Sequence, residues 1–230
     1  MKMLLPGISP FKTEAASSIN KPMKEHFGLY LILTDPVAGY EACAEAAVTE
    51  NIRYLQLRMK HAARADVVAM GKRLKSITAG TATRLIINDD LESAMDCDAD
   101  GIHLGQHDLN LAEARKRWSA KDKCFGLSTH SLAQAFQALE LQPDYIGIGP
   151  VFPTQTKSDA DPELGAAEAG HIATTIPLTS VVIGGINPNN LAEVLQAGAS
   201  NYCVVSAVNA SPTPRTAIQT LQNVWKKHTN

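Results

Sequence analysis

From Leu29 onward, short apolar runs alternate with longer amphipathic stretches. Eight of the runs have the length and apolar character of buried strands. They are Leu29–Leu33, Tyr54–Leu57, Leu85–Ile87, Gly101–Leu104, Cys124–Leu127, Tyr145–Ile148, Val181–Ile183 and Tyr202–Val205. The other stretches show helical periodicity, as in Ala62–Ile77, Leu111–Trp118, Leu132–Leu139, Leu191–Ala197 and Thr213–His228.

Strands that alternate with helices predict an α/β fold with a parallel sheet. Eight strands are the number that closes a (β/α)8 barrel, so we predict a single TIM barrel. An open, doubly wound sheet is the alternative that the pattern leaves. We assign residues 27–230 to the barrel. Residues 1–26 are polar and lack periodicity, and we interpret them as a mobile N-terminal extension.

A weak internal repeat in the even-numbered strands supports closure. The segments begin with a polar residue and then alternate, starting at Arg53, Asp100, Asp144 and Asn201. Because side chains alternate faces along a strand, one inward layer is predicted to hold Gln56, His103, Gly147 and Val204. The layer above it would hold Arg58, Gly105, Gly149 and Ser206. These side chains cannot fill a core, so they leave room for a ligand at the carboxyl ends of the strands, where barrel active sites lie.

Composition narrows the possible functions. The chain is 45% hydrophobic and 19% charged, with a formal net charge of −2 and no basic block. We therefore expect no nucleic-acid partner and no binding to a membrane surface. No apolar run is long enough for a transmembrane helix. The four cysteines lie far apart without a Cys-x-x-Cys motif, which favours a reducing, cytoplasmic location.

Cationic and hydroxyl side chains follow strands two and six. Arg58 and Lys60 lie two positions apart, hence on one face of an extended chain, and two cations at a ligand face indicate a polyanionic substrate. The loop after Tyr145–Ile148 presents two hydroxyls and an ammonium group that suit phosphate oxygens, from Thr154, Thr156 and Lys157. Alone, each set is also compatible with an ordinary solvated strand end.

Carboxylates follow the two neighbouring strands three and four. Asp89 and Asp108 are thereby predicted to reach the same mouth of the barrel, where Mg²⁺ is typically held by one or two carboxylates plus substrate phosphates. The alternative is a helix cap, formed by Asp89 or Asp90 before Leu91–Met95 and by Asp108 before Leu109–Trp118. Asp90 is a weaker candidate ligand, because adjacent carboxylates tend to point apart.

Histidines near the strand ends carry less information. His103 and His107 have the i, i+4 spacing of a helical zinc site, but a strand followed by a glycine turn lacks that geometry. We interpret His103 as a hydrogen-bonded histidine inside the barrel. Ser128 and His130 resemble a nucleophile and base, yet no carboxylate partner is evident nearby. Ser128 is therefore interpreted as a hydroxyl that hydrogen-bonds a pyrophosphate oxygen or a base.

A second anion site is predicted after strands seven and eight. Gly184 and Gly185 follow one strand, and Val205 and Ser206 end the other. In TIM barrels these two loops commonly bind phosphate through backbone amides. One mouth with two anion sites suits a reaction that joins two phosphorylated molecules and releases a phosphate group.

From Leu29 to Val208 the chain resembles the thiamine phosphate synthase family. The resemblance rests on motifs in order, each at a strand end: Gln56-Leu-Arg-Met-Lys60, Ile87-Asn-Asp89, Asp100-Gly-Ile-His-Leu-Gly-Gln-His-Asp108, Gly126-Leu-Ser-Thr-His130, Gly147-Ile-Gly-Pro-Val-Phe-Pro-Thr-Gln-Thr-Lys157, Ile183-Gly-Gly-Ile186 and Val204-Val-Ser-Ala207. It implies a transferase in thiamine biosynthesis that condenses hydroxymethylpyrimidine diphosphate with a thiazole phosphate. The products would be thiamine phosphate and pyrophosphate.

The same resemblance assigns roles to residues. Contacts to the pyrimidine diphosphate would come from Gln56, Leu57, Arg58, Met59, Lys60, Asn88, Ser128 and Lys157. Of these, the catalytic group would be Arg58, Lys60, Ser128 and Lys157. The thiazole phosphate would be bound by Thr154, Gln155, Thr156, Gly185, Val205 and Ser206, whereas the residues alone had placed the two threonines at the diphosphate. Mg²⁺ would be held by Asp89 and Asp108. The resemblance also implies a homodimer.

Two rival functions remain open from the sequence. Thiazole tautomerases share this fold and a histidine that resembles His130, but they need no magnesium pair. A non-catalytic sensor of thiamine phosphates is the other possibility. Retention of Asp89 and Asp108 beside Arg58 and Lys60 favours the synthase over both.

Overall fold

The computed structural model describes residues 24–154, 156 and 161–229, and within them eight parallel strands form a closed barrel in chain order. The strands are β1 (Leu29–Leu33), β2 (Tyr54–Leu57), β3 (Arg84–Asn88), β4 (Gly101–Leu104), β5 (Cys124–Thr129), β6 (Tyr145–Ile148), β7 (Ser180–Ile183) and β8 (Tyr202–Val204). Strand β8 pairs with β1, so the sheet has no edge. The predicted TIM barrel is confirmed, and the open sheet is excluded.

Helices follow the strands and cover the outside of the barrel. They are α1 (Tyr40–Thr49), α2 (Arg64–Thr78), α3 (Leu91–Asp96), α4 (Leu111–Arg117), α5 (Leu132–Leu141), α6 (Gly165–Thr175), α7 (Leu191–Gln196), α8 (Ser206–Asn209) and α9 (Pro214–Thr229). No helix in the described part of the chain is long and apolar enough to cross a membrane.

Two hydrophobic layers hold the barrel together. The larger lies between the strands and the helices and includes Leu31, Leu55 and Ile146. The smaller fills the barrel interior, where the rings of Tyr30, Tyr54 and Tyr145 have centroids 5.5 Å apart. Because these rings occupy the lower half of the barrel, space for a ligand is confined to the upper half.

The prediction for the faces of β8 was wrong by one residue. Val204 packs outward in the layer against the helices, while Cys203 and Val205 belong to the interior cluster. A shift of one residue exchanges every side chain between the faces of a strand. All the side chains from Tyr202 to Val205 are apolar, so hydropathy could not fix the alternation here. On β2, β4 and β6, Gln56, His103 and Gly147 reach the cavity above the interior cluster, as predicted.

The polar residues that open the repeated segments fix neighbouring strands in register. The carboxylate of Asp100 accepts a hydrogen bond from the backbone N–H of Leu85 on β3, at 2.8 Å. Asp144 accepts in the same way from Phe125 on β5, at 2.7 Å. The side-chain amide of Asn201 donates to the carbonyl of Ser180 on β7, at 3.1 Å. The repeat therefore has a structural cause at the amino ends of the strands.

The first described residues close the bottom of the barrel. Lys24 Nζ donates to the carbonyl of Ala173, and the backbone N–H of Glu25 donates to Thr179. Phe27 stacks edge-on against Tyr54 with ring centroids 4.8 Å apart. Residues 1–23 lie outside the described part of the chain, so the extension and its boundary at residue 26 stay predictions.

Tyr202 provides a test of packing. Its ring is fully buried, and its hydroxyl has no hydrogen-bond partner among the described residues. Since removing an unpaired buried hydroxyl is neutral or stabilising, we expect Tyr202→Phe to unfold at the same or a higher urea concentration. The control Tyr54→Phe loses a hydrogen bond of 3.0 Å to Glu25 and should be less stable by about 1 kcal/mol. A clear destabilisation of Tyr202→Phe would contradict this description.

Candidate active site

A cavity of about 420 Å³ opens at the carboxyl ends of the strands. Its walls include residues from the loops that follow strands β2 to β8, so segments distant in sequence meet at one rim. The predicted site residues that line it are Gln56, Arg58, Lys60, Asn88, Asp89, Asp108, Ser128, Thr154, Thr156, Gly185, Val205 and Ser206.

Two predicted residues do not line the cavity. The Leu57 side chain is buried in the outer hydrophobic layer, and Met59 packs against that same layer. Both alternate with inward-pointing neighbours on β2 and its extension, so their side chains must face the helices. Gln155 and Lys157, predicted for the loop after β6, lie outside the described residues.

Arg58 and Lys60 form the cationic wall of the cavity. The backbone N–H of Arg58 donates to the carbonyl of Leu33, which continues the β1–β2 pairing beyond the end of β2. No carboxylate among the described residues forms an ion pair with the Arg58 guanidinium. Lys60 lies near enough to Asp89 to stabilise that residue's ionised form. A partially buried arginine without a carboxylate is well suited to bind an anionic ligand.

Asp89 and Asp108 face each other within hydrogen-bonding distance. Asp89 has a left-handed backbone with φ of 63°, and its N–H donates to the carbonyl of His103 at 2.9 Å. The Asp108 carboxylate accepts from the N–H of Gly105 at 2.6 Å. Asp90 caps α3, as the alternative allowed, and Asn110 caps α4, so neither Asp89 nor Asp108 is a helix cap.

The proximity of the two carboxylates changes the acidity of Asp89. Burial raises its pKa, and the hydrogen bond and charge of Asp108 raise it further, to about 7, against the opposing effects of Lys60 and Asn88. A divalent cation bound by both carboxylates would offset their negative charges. The described ranges contain no group of three or more histidine, cysteine or acidic side chains placed to hold a metal. A cation at this pair would therefore need further oxygen ligands from substrate or water, as Mg²⁺ commonly does.

Polar side chains cross the floor of the cavity. His103 bonds to the Tyr145 hydroxyl through Nδ1 at 3.1 Å and to Ser128 Oγ through Nε2 at 2.9 Å. Both ring nitrogens are therefore engaged, which confirms the predicted hydrogen-bonded histidine inside the barrel. Burial lowers the pKa of His103 to about 4. Gln56 is 1% exposed, and its Oε1 has no hydrogen-bond partner among the described residues.

His130 has a carboxylate partner that the sequence did not reveal. Its Nε2 lies 3.3 Å from Asp161 Oδ2, and its Nδ1 lies 2.7 Å from the carbonyl oxygen of Gly149. Asp161 is distant in sequence and reaches His130 only because the loop after β6 returns to the rim. Proximity in sequence could not indicate this pair, because about thirty residues separate His130 from Asp161.

The loops after β6 and β7 pack against each other where the second anion site was predicted. The N–H groups of Val151 and Phe152 donate to the carbonyls of Ile183 and Gly184 at 2.8 and 3.1 Å. A Cβ atom on Gly185, whose φ is 63°, would lie 2.5 Å from the carbonyl oxygen of Pro153. A side chain at this position would separate the loops, so glycine is required for the close approach.

The fold and the cavity define a TIM barrel whose mouth is lined by Arg58, Lys60 and the carboxylates of Asp89 and Asp108. The family model described as "Thiamine monophosphate synthase" matches residues 29–208. The chain belongs to the thiamine monophosphate synthase family. The predicted enzyme class, a transferase of thiamine biosynthesis acting on small phosphorylated substrates, is confirmed by that membership.

Individual relatives agree. The thiamine-phosphate synthase of Halalkalibacterium halodurans is 38% identical over 185 residues, covering 79% of this chain and 87% of that protein. That of Chloroflexus aurantiacus is 38% identical over 173 residues, covering 75% and 79%. The solved thiamine phosphate pyrophosphorylase of Pyrococcus furiosus superposes with a TM-score of 0.79 at 28% identity, covering 89% of this chain and 98% of that one. A 3-hexulose-6-phosphate synthase at 16% identity and a TM-score of 0.64 shares the fold alone.

The raised pKa of Asp89 predicts a pH-dependent stability. The folded protein holds a proton on Asp89 up to about pH 7. The unfolded chain loses it near pH 4, so stability falls as the pH rises through this window. In EDTA, Asp89→Asn should therefore melt at a higher temperature than the parent protein at pH 8, with a smaller difference at pH 5.

The neighbouring Asp90 supplies the control. Partial burial opposes its ionisation, but hydrogen bonds from Ser93 and the guanidinium of Arg64 outweigh that effect and lower its pKa. Asp90→Asn should consequently melt at a lower temperature than the parent at pH 8. Scanning calorimetry at both pH values measures both effects, and a pH-independent difference for Asp89→Asn would argue against the enforced carboxylate pair.

Proposed function

We propose that the protein joins 4-amino-2-methyl-5-hydroxymethylpyrimidine diphosphate to 4-methyl-5-(2-phosphoethyl)thiazole, giving thiamine phosphate and pyrophosphate. The observation that carries the proposal is the composition of one cavity. Among the described residues, it combines the Arg58 guanidinium without an ion-pair partner, the neighbouring carboxylates of Asp89 and Asp108, and a buried acceptor without a donor, Gln56 Oε1. Family membership supports thiamine phosphate synthesis in general, and the cavity supports these particular substrates.

The diphosphate is proposed to lie along the wall formed by Arg58 and Lys60. Both cations line the cavity beside the carboxylate pair. An arginine fork suits two phosphate oxygens, and a lysine supplies a point charge. Lys157, outside the described residues, is proposed as a third cation there. Negative charge grows on the diphosphate as it leaves, so fixed cations stabilise the transition state more than the ground state.

Mg²⁺ is proposed to be held by Asp89 and Asp108. Two neighbouring carboxylates suit a divalent cation, which would offset their negative charges. The described ranges offer no third acidic, histidine or cysteine ligand, and Mg²⁺ commonly takes its remaining ligands from substrate phosphates and water. When bound, the ion would supply positive charge to the leaving diphosphate. Asp89 and Asp108 thus serve to place that charge at the mouth, next to Lys60.

The pyrimidine ring is proposed to lie on the polar floor among Gln56, Asn88 and Ser128. All three line the cavity below its charged rim. Gln56 Oε1 is an acceptor for which the described part of the chain supplies no donor, and an exocyclic amino group on the ring would satisfy it. Leu57 and Met59 are proposed to contribute at most backbone contacts, because their side chains face the helices.

The thiazole phosphate is proposed to bind across the loops after β6, β7 and β8. Thr154 and Thr156 present hydroxyls at the rim, with Gln155 between them outside the described residues. Gly185, Val205 and Ser206 complete the opposite side, where backbone N–H groups suit a phosphate. The substrates would thereby meet over the floor of the cavity.

The chemistry balances without a protein nucleophile. The C–O bond between the pyrimidine methylene and the diphosphate breaks, and its electron pair leaves with the diphosphate oxygen. The electron-rich aminopyrimidine stabilises the methylene cation. The thiazole nitrogen then donates its lone pair to form the new C–N bond. Holding both substrates in one cavity removes much of the entropic barrier to this second step.

The tautomerase alternative is less well supported by the environment of His130. An isomerase histidine must accept and release a proton, yet both His130 ring nitrogens contact acceptors, the Gly149 carbonyl and the Asp161 carboxylate. A purely binding function would not require the carboxylate pair. The homodimer and the cytoplasmic location stay predictions.

A pyrophosphate-release assay tests the proposal. With both substrates and Mg²⁺ the protein should release pyrophosphate and form thiamine phosphate, and omission of either substrate or of Mg²⁺ should abolish the release. In Asp89→Asn and Asp108→Asn, activity should fall at least a hundredfold, and Mg²⁺ should no longer raise the melting temperature. Asp90→Asn, whose carboxylate caps α3, is the matched control and should retain the response to Mg²⁺. Near-normal turnover in Asp89→Asn would refute the metal assignment.

Two arginines at opposite ends of β2 test the cationic wall. Arg58 lies at the cavity, while Arg53 lies at the amino end near Glu25. We expect Arg58→Gln to lower kcat by roughly a hundredfold, because it removes charge opposite the leaving diphosphate. Arg53→Gln should keep kcat within about twofold, as expected for an exposed ion pair. Equal kinetic losses in the two variants would contradict a special role for Arg58.

A further inference from the structure

A continuous row of hydrogen bonds crosses the barrel interior beneath the cavity. Gln56 Nε2 lies 2.9 Å from the Tyr30 hydroxyl, which lies 2.8 Å from the Tyr145 hydroxyl. The Tyr145 hydroxyl is 3.1 Å from His103 Nδ1, and His103 Nε2 is 2.9 Å from Ser128 Oγ. The groups come from β2, β1, β6, β4 and β5, so the row joins both sides of the barrel.

Proton counting gives the row a direction. In the amide orientation that the structure has, Nε2 of Gln56 faces Tyr30, and because an amide nitrogen can only donate, the Tyr30 oxygen accepts. The Tyr30 proton then goes to Tyr145, and the Tyr145 proton goes to His103 Nδ1. A neutral imidazole that accepts at Nδ1 carries its proton on Nε2 and donates it to Ser128. The Ser128 hydroxyl proton is left for an acceptor in the cavity.

The opposite direction leaves a buried donor without a partner. If Ser128 donated to His103 and the chain ran back toward Gln56, the Tyr30 oxygen would receive protons from both Tyr145 and Gln56. Its own O–H would then have no acceptor among the residues that the structure describes. Tyr30 is 2% exposed, and a buried donor without an acceptor is unfavourable.

Gly126 leaves room for the hydrogen bond between Tyr145 and His103. A Cβ atom built on Gly126 would lie 2.4 Å from the Tyr145 hydroxyl oxygen and 2.6 Å from His103 Nδ1. Any side chain there would occupy the space in which Tyr145 and His103 meet. The row of hydrogen bonds therefore requires glycine at this position of β5.

We propose that this row is a one-way hydrogen-bond chain that fixes Gln56 as an acceptor and Ser128 as a donor toward the ligand. Tyr30, Tyr145 and His103 are its positioning residues and determine specificity without needing to touch the reacting atoms. At one end, Gln56 Oε1 is buried and has no donor in the ranges that the structure describes, so it can accept from an N–H group of the ligand. Ser128 at the other end offers its proton to a ring nitrogen or phosphate oxygen.

The identity of the ligand rests on the proposed function, whereas the direction of the chain does not. An aminopyrimidine diphosphate carries both an exocyclic N–H donor and suitable acceptors. An analogue with a 4-oxo group in place of the 4-amino group would turn an acceptor toward Gln56 Oε1. Two acceptors that face each other in a buried site bind poorly.

Nitrogen NMR of the ligand-free protein tests the direction. With ¹⁵N-labelled histidine, His103 should carry its proton on Nε2 and none on Nδ1. Its signals are assigned by their loss in His103→Gln or, if that variant does not fold, by contacts to the Tyr145 ring. In Tyr145→Phe the Nδ1 resonance should shift toward that of a free acceptor. The control is Tyr54→Phe, because the Tyr54 hydroxyl bonds to Glu25 and not to His103. In this variant the Nδ1 resonance should not move. A proton on Nδ1, or a mixture of tautomers, would overturn the proposed direction.

Kinetics test the specificity. Tyr145→Phe should raise KM for the pyrimidine diphosphate about tenfold and leave KM for the thiazole phosphate within about twofold. Its preference for the 4-amino substrate over the 4-oxo analogue should also weaken. Tyr54→Phe, in the same aromatic cluster, should show neither change. Equal effects in both variants would overturn the positioning role. A wild-type protein inactive with the 4-amino substrate would count against the proposed function, while the NMR result would still decide the direction.

Discussion

The parallel pairing of β3 with β4 is the constraint on which the site depends. Its ladder aligns Asn88 with His103 and continues one residue further, where the Asp89 N–H donates to the His103 carbonyl. After β4, the chain turns at Gly105, and the Asp108 carboxylate accepts a hydrogen bond from the N–H of Gly105. These hydrogen bonds place Asp89 and Asp108 next to each other at the mouth of the barrel. Burial, and after it the hydrogen bond and charge of Asp108, raise the pKa of Asp89.

Closure of the barrel extends this constraint to the other strands. Because β8 pairs with β1, loops distant in sequence share one rim, and Arg58 lies on the same cavity as Asp89 and Ser206. The tyrosine rings fill the lower half of the barrel and also supply the hydroxyls of the polar floor. One set of aromatic side chains thus serves both packing and the orientation of polar groups.

The features that follow from strand order could be predicted from the sequence. The features that depend on contacts between distant residues could not. The eightfold alternation and the convergence of Asp89 and Asp108 follow from the order of parallel strands. The faces of β8 were mispredicted because its residues are uniformly apolar, so no alternation was visible. Asp161 was missed as the partner of His130 because the loop after β6 brings it back from a distance. The tyrosine hydroxyls were missed because hydropathy counts tyrosine as apolar.

The central claim is that Asp89 and Asp108 hold a divalent cation against the diphosphate oxygens. Electron–nuclear double resonance with Mn²⁺ as the probe and pyrophosphate as the ligand measures this directly, through the coupling of ³¹P to the metal. We predict a ³¹P coupling typical of direct coordination in the parent protein, and its loss in the Asp89→Asn/Asp108→Asn double variant. The same coupling in the double variant, or none in the parent protein, would contradict the claim.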